Sequence, residues 1–302
     1  MEILKGIIVP CVTPFDEDGE IDYSALLFNF KKWNETGVRG YMSLGSNGEF
    51  KMLSDDEALE VIRLSSEVRD SEKTFIAGVG RESLYQTLKF IDKVNKYKDK
   101  IDYYSVLTPS YFKSRMTDEA VIDYYTKIAD YSEVPVLLYC APSFANEVVI
   151  SAEALRVLAE HKNILGIKDT SKNMMETYMD VAGGRKDFEV VSGSMSTLFT
   201  CLDRGGHGGV VSAANYFPSE CARVVELYFN GGRDLALAYY EKLQLLIKNT
   251  GAKASVAGVK ATMNLMGYKG LYPRKPVLPV SGEEIEGYKE VIEKYGPEVF
   301  VN

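Results

Sequence analysis

Val134-Pro135-Val136-Leu137-Leu138-Tyr139 is a short apolar run that ends on a tyrosine. Ser151 then caps a helical pattern that places Leu155 and Leu158 on one face. A second apolar run follows, Asn163-Ile164-Leu165-Gly166-Ile167-Lys168-Asp169-Thr170, with a lysine at its inner end. Strand, helix and strand over about 35 residues is the size of a βα unit whose strands run parallel. Adjacent strands lie about 5 Å apart. Tyr139 and Lys168 would then stand close together at the ends of neighbouring buried strands.

The same alternation runs outward in both directions. Short β-rich runs predict strands over Gly6 to Thr13, Gly40 to Leu44, Thr74 to Val79, Tyr103 to Leu107, Glu189 to Ser192 and Gly208 to Ser212. Amphipathic helical patterns separate them. Leu26, Leu27, Phe30 and Trp33 form a stripe that stops at Gly37. Ser54-Asp55-Asp56-Glu57 reads as a capping box before Ala58, Val61, Ile62 and Val68. Pro218 fits the first turn of the helix after the eighth strand. Eight βα units predict an α/β fold, a (β/α)8 TIM barrel over residues 1–231; a doubly wound sheet usually has fewer strands. After Gly231 the alternation stops. Arg233 to Asn249, with Leu235, Leu237, Tyr240, Leu243 and Leu246 recurring, reads as a helix, as do Ser255 to Met266 and Ser281 to Tyr295. They predict a small C-terminal three-helix domain, residues 232–302, joined tightly because no low-complexity linker precedes it.

Composition narrows the class. The formal net charge of -8 argues against a nucleic-acid partner. The basic stretch Lys93 to Lys100 is broken by Asp99 and reads as a solvated helix end. Cys11, Cys140, Cys201 and Cys221 show no Cys-x-x-Cys spacing and read as thiols in a reducing compartment. The opening Met1-Glu2-Ile3-Leu4-Lys5-Gly6 has no secretory pattern, and no apolar run reaches membrane length. A cytoplasmic protein with no membrane partner is expected. The two histidines, His161 and His207, have no carboxylates at ligand spacing, so no metal is expected.

In a barrel of this kind the chemistry sits where strands end and βα loops begin. Apolar surroundings favour the neutral form of a lysine amine, and a neutral amine attacks a ketone to form a Schiff base. The competing reading pairs a charged Lys168 with Asp169 or another carboxylate. A phenol beside the amine, Tyr139, can pass protons to and from a carbinolamine. Leu44-Gly45-Ser46-Asn47-Gly48-Glu49 lacks a Walker ending. Its glycines would let N–H groups and the Ser46 hydroxyl converge on a carboxylate, or simply make a tight turn. Tyr111 and Phe112, after Thr108-Pro109-Ser110, read more readily as packing than as chemistry.

Taken together, Gly45-Ser46-Asn47-Gly48-Glu49, Thr108-Pro109-Ser110-Tyr111, Tyr139-Cys140-Ala141-Pro142-Ser143, Gly166-Ile167-Lys168-Asp169-Thr170 and Gly205-Gly206-His207-Gly208 resemble a known family over nearly the whole chain. It is the dihydrodipicolinate synthase and N-acetylneuraminate lyase family of class I aldolases. The resemblance implies a (β/α)8 barrel with a C-terminal helical domain and a homotetramer built as a dimer of dimers. It implies pyruvate as substrate or product, with no metal or organic cofactor. By position, Lys168 resembles the Schiff-base lysine and Tyr139 the proton-shuttling tyrosine. Ser46 and Asn47, with Gly48 in the same turn, match the group that holds the 2-oxo acid carboxylate. Tyr111 matches a tyrosine that reaches into a neighbouring protomer's site. Gly193 and Ser194 would line the pocket, Val210 would close its floor, and His207 would be structural.

One position departs. The synthases usually carry an arginine two positions after the proline equivalent to Pro142, and here that residue is Phe144. An aromatic ring cannot replace a bidentate carboxylate partner. The motif wording is instead similar to 4-hydroxy-2-oxoglutarate aldolase-like members. The expected activity is a Schiff-base lyase that makes or breaks a C–C bond next to a pyruvate unit. The alternatives are 4-hydroxy-tetrahydrodipicolinate synthase, which condenses pyruvate with aspartate semialdehyde, a sugar-acid aldolase or dehydratase, and a barrel that binds a 2-oxo acid without turnover.

Overall fold

The eight apolar runs become eight strands that close, in sequence order, into a barrel: β1 (Gly6–Pro10), β2 (Gly40–Ser43), β3 (Thr74–Gly78), β4 (Tyr103–Leu107), β5 (Val136–Cys140), β6 (Ile164–Asp169), β7 (Glu189–Ser192) and β8 (Gly208–Val210). The structure is a computed structural model that describes residues 2–171, 173–182 and 184–296. Parallel registers join β1 to β2 and each strand from β3 to β8 to the next. Parallel strands place all their C-terminal ends on one rim. Strand β5 begins at Val136 rather than Val134, because Pro135 has no N–H to give the ladder. Strand β8 stops at Val210, where the chain enters a 3-10 turn at Ser212–Asn215.

The helices are α1 (Tyr23–Asn34), α2 (Asp55–Val68), α3 (Leu84–Val94), α4 (Asp118–Tyr131), α5 (Ala152–Leu158), α6 (Met175–Ala182), α7 (Leu198–Asp203), α8 (Pro218–Glu226), α9 (Arg233–Asn249), α10 (Ser255–Leu265) and α11 (Gly282–Tyr295). The C-terminal helices expected from the sequence are therefore present. The Ser54–Glu57 capping box forms in full, and the Ser151 hydroxyl accepts from the Ala154 N–H. Helix α9 corrects one detail. Its inward face runs through Ala236, Leu243, Leu246 and Ile247, while Leu235 is exposed. Counting back two turns from Leu243 reaches Ala236, so helical period rather than residue size sets the buried face.

The chain divides into two compact units. The first comprises Met1–Lys5 and Thr74–Val210, and it carries β3 to β8. Its strands are almost continuously buried, as expected of a parallel sheet covered on its faces. The carboxylate that opens β7, Glu189, is buried but satisfied. It accepts from the N–H groups of Ile3 (2.9 Å) and Leu4 (2.6 Å) and lies within 3.4 Å of the Tyr103 hydroxyl.

The second unit comprises Gly6–Lys73 and Val211–Asn302, of which residues 297–302 lie outside the described chain. Phe30, Trp33 and Tyr41 form its aromatic centre, with ring centroids 4.8–6.3 Å apart. The Trp33 indole N–H donates to the Asn215 carbonyl at 3.2 Å. The Asn215 side chain in turn accepts from Val12 N–H and donates to the Pro10 carbonyl. The Trp33 indole and the Asn215 amide are thus paired, which removes the desolvation cost of leaving them bare.

Candidate active site

Alternation along a strand decides where Lys168 points. Tyr139 and Lys168 are register partners on β5 and β6, and Cys140 and Asp169 are the next pair. Helix α6 reaches the second pair from outside the barrel. The Tyr178 hydroxyl donates to the Ile150 carbonyl (2.6 Å) and lies 3.1 Å from Cys140 Sγ. Cys140 and Asp169 therefore face the helix layer, and Tyr139 and Lys168 face the barrel interior. Lys168 and Tyr139 are 2% and 3% exposed. The Lys168 amine lies 4.0 Å from the centre of the Tyr139 ring. Val191 on β7 and Leu107 on β4 are the register partners on either side of the pair.

Asp169 is not the partner of Lys168, because consecutive strand residues face opposite ways. Both Asp169 oxygens are held by Ser171, one by its N–H and one by its hydroxyl, each at 2.9 Å. Burial pushes the Asp169 carboxyl up to about 6, with the two Ser171 bonds pulling the other way. The sequence reading named Asp169 only as a rival partner for Lys168. Its position one step past an inward residue was the available signal for a helix-facing side chain.

Beyond β7, Gly193 sits where a side chain would not fit. A Cβ there would come within 2.3 Å of Thr170 Oγ1 and 2.9 Å of the Asp169 carbonyl. The Gly193 N–H donates to that carbonyl at 2.5 Å, tying the β7 loop to the end of β6. Ser194 caps the next turn by accepting from the Ser196 N–H. Val210, at the end of β8, is buried. His207 precedes β8 and so lies at the N-terminal end of its strand, whereas Lys168 and Tyr139 lie near the C-terminal ends of theirs.

The loops after β4 and β5 present aromatic rings. Tyr111 is 77% exposed and meets Phe112 edge-on with centroids 4.8 Å apart. Neither ring is buried in the core of this chain. The Ser110 and Tyr111 N–H groups donate to Glu82, which fixes the loop beneath them. Phe144 closes a 3-10 turn, Pro142–Phe144, and is half exposed.

In the second unit, Ser46–Gly48 forms a 3-10 turn directly after β2. Ser46 and Asn47 are half-buried and Gly48 is buried. The Asn47 amide donates to the Ser212 hydroxyl at 2.8 Å, and the Gly48 carbonyl accepts from the Thr13 hydroxyl at 2.8 Å. Ser212 is a partner that sequence reasoning missed, since nothing local links it to Asn47. Burial is shared by all four cysteines, which are free. Among the described residues no three His, Cys, Asp or Glu side chains converge as a metal-binding group. No helix among them is long and apolar enough to cross a membrane.

The site is thus a closed (β/α)8 barrel into which Tyr139 and Lys168 project from adjacent strands. Residues 3–295 match the dihydrodipicolinate synthetase family. The chain belongs to that family, and it is a class I pyruvate-dependent lyase. It is 30% identical over 298 residues to an uncharacterised DapA-like lyase of Pyrococcus horikoshii, covering 96% of this chain and all of that one. It is 27% identical to a 4-hydroxy-tetrahydrodipicolinate synthase of Thermotoga petrophila, over 97% of this chain and 99% of the relative. The crystal structure of dihydrodipicolinate synthase from Thermotoga maritima superposes with a TM-score of 0.89 at 27% identity, over 97% of this chain and 98% of that one.

Proposed function

We propose that the enzyme is an aldolase for 4-hydroxy-2-oxo acids, cleaving or forming the C–C bond next to a pyruvate unit through a Schiff base on Lys168. The observation that carries this reading is the buried, inward-facing Tyr139–Lys168 pair. The Lys168 amine attacks the C2 ketone. Loss of water from the carbinolamine gives a protonated imine. That imine withdraws electrons, so the C3–C4 bond breaks to an enamine and the C4 hydroxyl loses its proton as the aldehyde leaves. Protonation of the enamine and hydrolysis release pyruvate. Tyr139 is assigned the proton transfers at the C2 oxygen and the C4 hydroxyl.

Ser46 and Asn47, in the turn closed by Gly48, are assigned the substrate carboxylate by family position. Gly193, Ser194 and Val210 are assigned to the pocket on the same basis. Tyr111 is assigned to the site of a neighbouring protomer in a homotetramer, and its exposure supports that placement. A cytoplasmic location fits the four free, buried thiols. Phe144 favours the aldolase reading over condensation with aspartate semialdehyde, because a ring offers a carboxylate no hydrogen bonds.

The second reading, 4-hydroxy-tetrahydrodipicolinate synthase, draws on the name of the Thermotoga petrophila relative. Sugar-acid cleavage or dehydration would use the same lysine and tyrosine. Assaying a panel of 4-hydroxy-2-oxo acids and sugar acids beside pyruvate plus aspartate semialdehyde separates them. The aldolase reading expects the highest kcat/KM within the first group.

A further inference from the structure

Lys260 lies on α10 and is fully buried. Its amine is 2.6 Å from Glu49 Oε1 and donates to the Thr13 carbonyl (2.7 Å) and the Tyr272 carbonyl (2.7 Å). The ammonium thus makes two hydrogen bonds to carbonyls and one ion pair. The face of the Phe15 ring lies 4.4 Å away. Burial pushes the amine down to about 8, and the Glu49 carboxylate is the main group opposing that shift. The other Glu49 oxygen accepts from the Arg274 N–H at 2.9 Å.

A buried ion pair is weak grounds for stability, since well-packed apolar residues often serve as well. What this pair holds is more informative. Glu49 sits in the left-handed region, φ 51° and ψ 37°, which disfavours residues with a side chain. It ends the Ser46–Gly48 turn and starts the next one, Phe50–Met52. Its N–H donates to the Ser46 carbonyl at 3.1 Å. Lys260 also grips the turn by a second route. It holds the Thr13 carbonyl, and the Thr13 hydroxyl holds the Gly48 carbonyl at 2.8 Å.

We propose that Lys260 is a positioning residue for substrate binding, fixing the Ser46–Gly48 turn from the C-terminal helix through Glu49 and Thr13. The inference rests on the reading that this turn holds the 2-oxo acid carboxylate. A contact made equally in the ground state and the transition state appears in half-saturation rather than in the limiting rate. The turn's freedom should therefore be read in pyruvate half-saturation.

The experiment measures pyruvate-dependent trapping by borohydride on the full chain, in wild type, Lys260→Met and Thr13→Val. Trapping in wild type comes first: its absence overturns both the Schiff-base reading and this proposal. With wild type trapped, Lys260→Met is expected to raise the half-saturating pyruvate concentration about 10-fold, the order of one lost charge-assisted hydrogen bond. The limiting rate at saturating pyruvate stays near that of wild type. Thr13→Val is expected to shift half-saturation in the same direction and less far, and it decides the matter alone if Lys260→Met does not fold. Half-saturation unchanged in the folded variants, or a loss confined to the limiting rate, overturns the proposal and leaves the Schiff-base reading standing.

Discussion

Tyr139 and Lys168 are register partners on β5 and β6, and the Lys168 amine lies 4.0 Å from the centre of the Tyr139 ring. Backbone pairing, rather than a flexible side-chain contact, sets this proximity. Tyr139→Phe keeps the ring that packs between β4 and β6 and removes only the hydroxyl. The fold should persist and turnover should fall by roughly 10²–10⁴-fold, the usual contribution of a general acid–base group. Thermal unfolding and kcat on the same preparation check this. Turnover within a few-fold of wild type would make Tyr139 a packing residue.

Asp169 gives a pH-dependent prediction. Burial lifts its carboxyl from the ordinary value of 3.8 to about 6 in the folded protein. A raised value means that folding favours the protonated form. This contribution is fully present below about pH 4 and is lost as pH rises through about 6. Asp169→Asn keeps an oxygen for the Ser171 N–H and offers N–H groups to the Ser171 hydroxyl, without a charge. Wild type and variant should be equally stable near pH 4, and the variant more stable near pH 8 by up to roughly 3 kcal/mol, from about two pKa units. Denaturant unfolding at both pH values measures the difference. Equal stability at pH 8 would contradict it.

Much of the fold was legible because its signals are local. The Ser54–Glu57 capping box, the Ser151 cap and the helix at Arg233–Asn249 all formed where the sequence placed them. Several strand ends shifted by one to three residues; at β5 the cause is local, because Pro135 has no N–H for the ladder. For the candidate site, the sequence placed Tyr139 and Lys168 on adjacent strands. The orientation of Asp169 follows from alternation along β6, and the Tyr178 contact to Cys140 identifies the side it faces as the helix layer. Lys260 stands between Val259 and Ala261, but its partner Glu49 is set by tertiary structure and no local pattern names it. The outward rings of Tyr111 and Phe112 were the reverse case. Apolar residues usually pack, and here the loop that Glu82 fixes turns them to solvent.

Phe144 tests substrate choice. If a ring at this position disfavours the carboxylate of aspartate semialdehyde, Phe144→Arg should raise kcat/KM for that condensation. The gain should be about 10- to 150-fold, the order of a hydrogen bond to a charged group. Activity toward 4-hydroxy-2-oxo acids should not rise in parallel. Steady-state assays of both reactions on wild type and variant decide it. An unchanged ratio would show that another residue reads the second substrate.

The central claim is that Lys168 forms the covalent intermediate. Incubation with pyruvate and borohydride, followed by peptide mass analysis, tests it directly. The account predicts the added mass of a reduced pyruvyl group on the peptide containing Lys168, and no adduct with Lys168→Ala. An adduct that persists in Lys168→Ala, or wild-type turnover with no trappable species at saturating pyruvate, would contradict it.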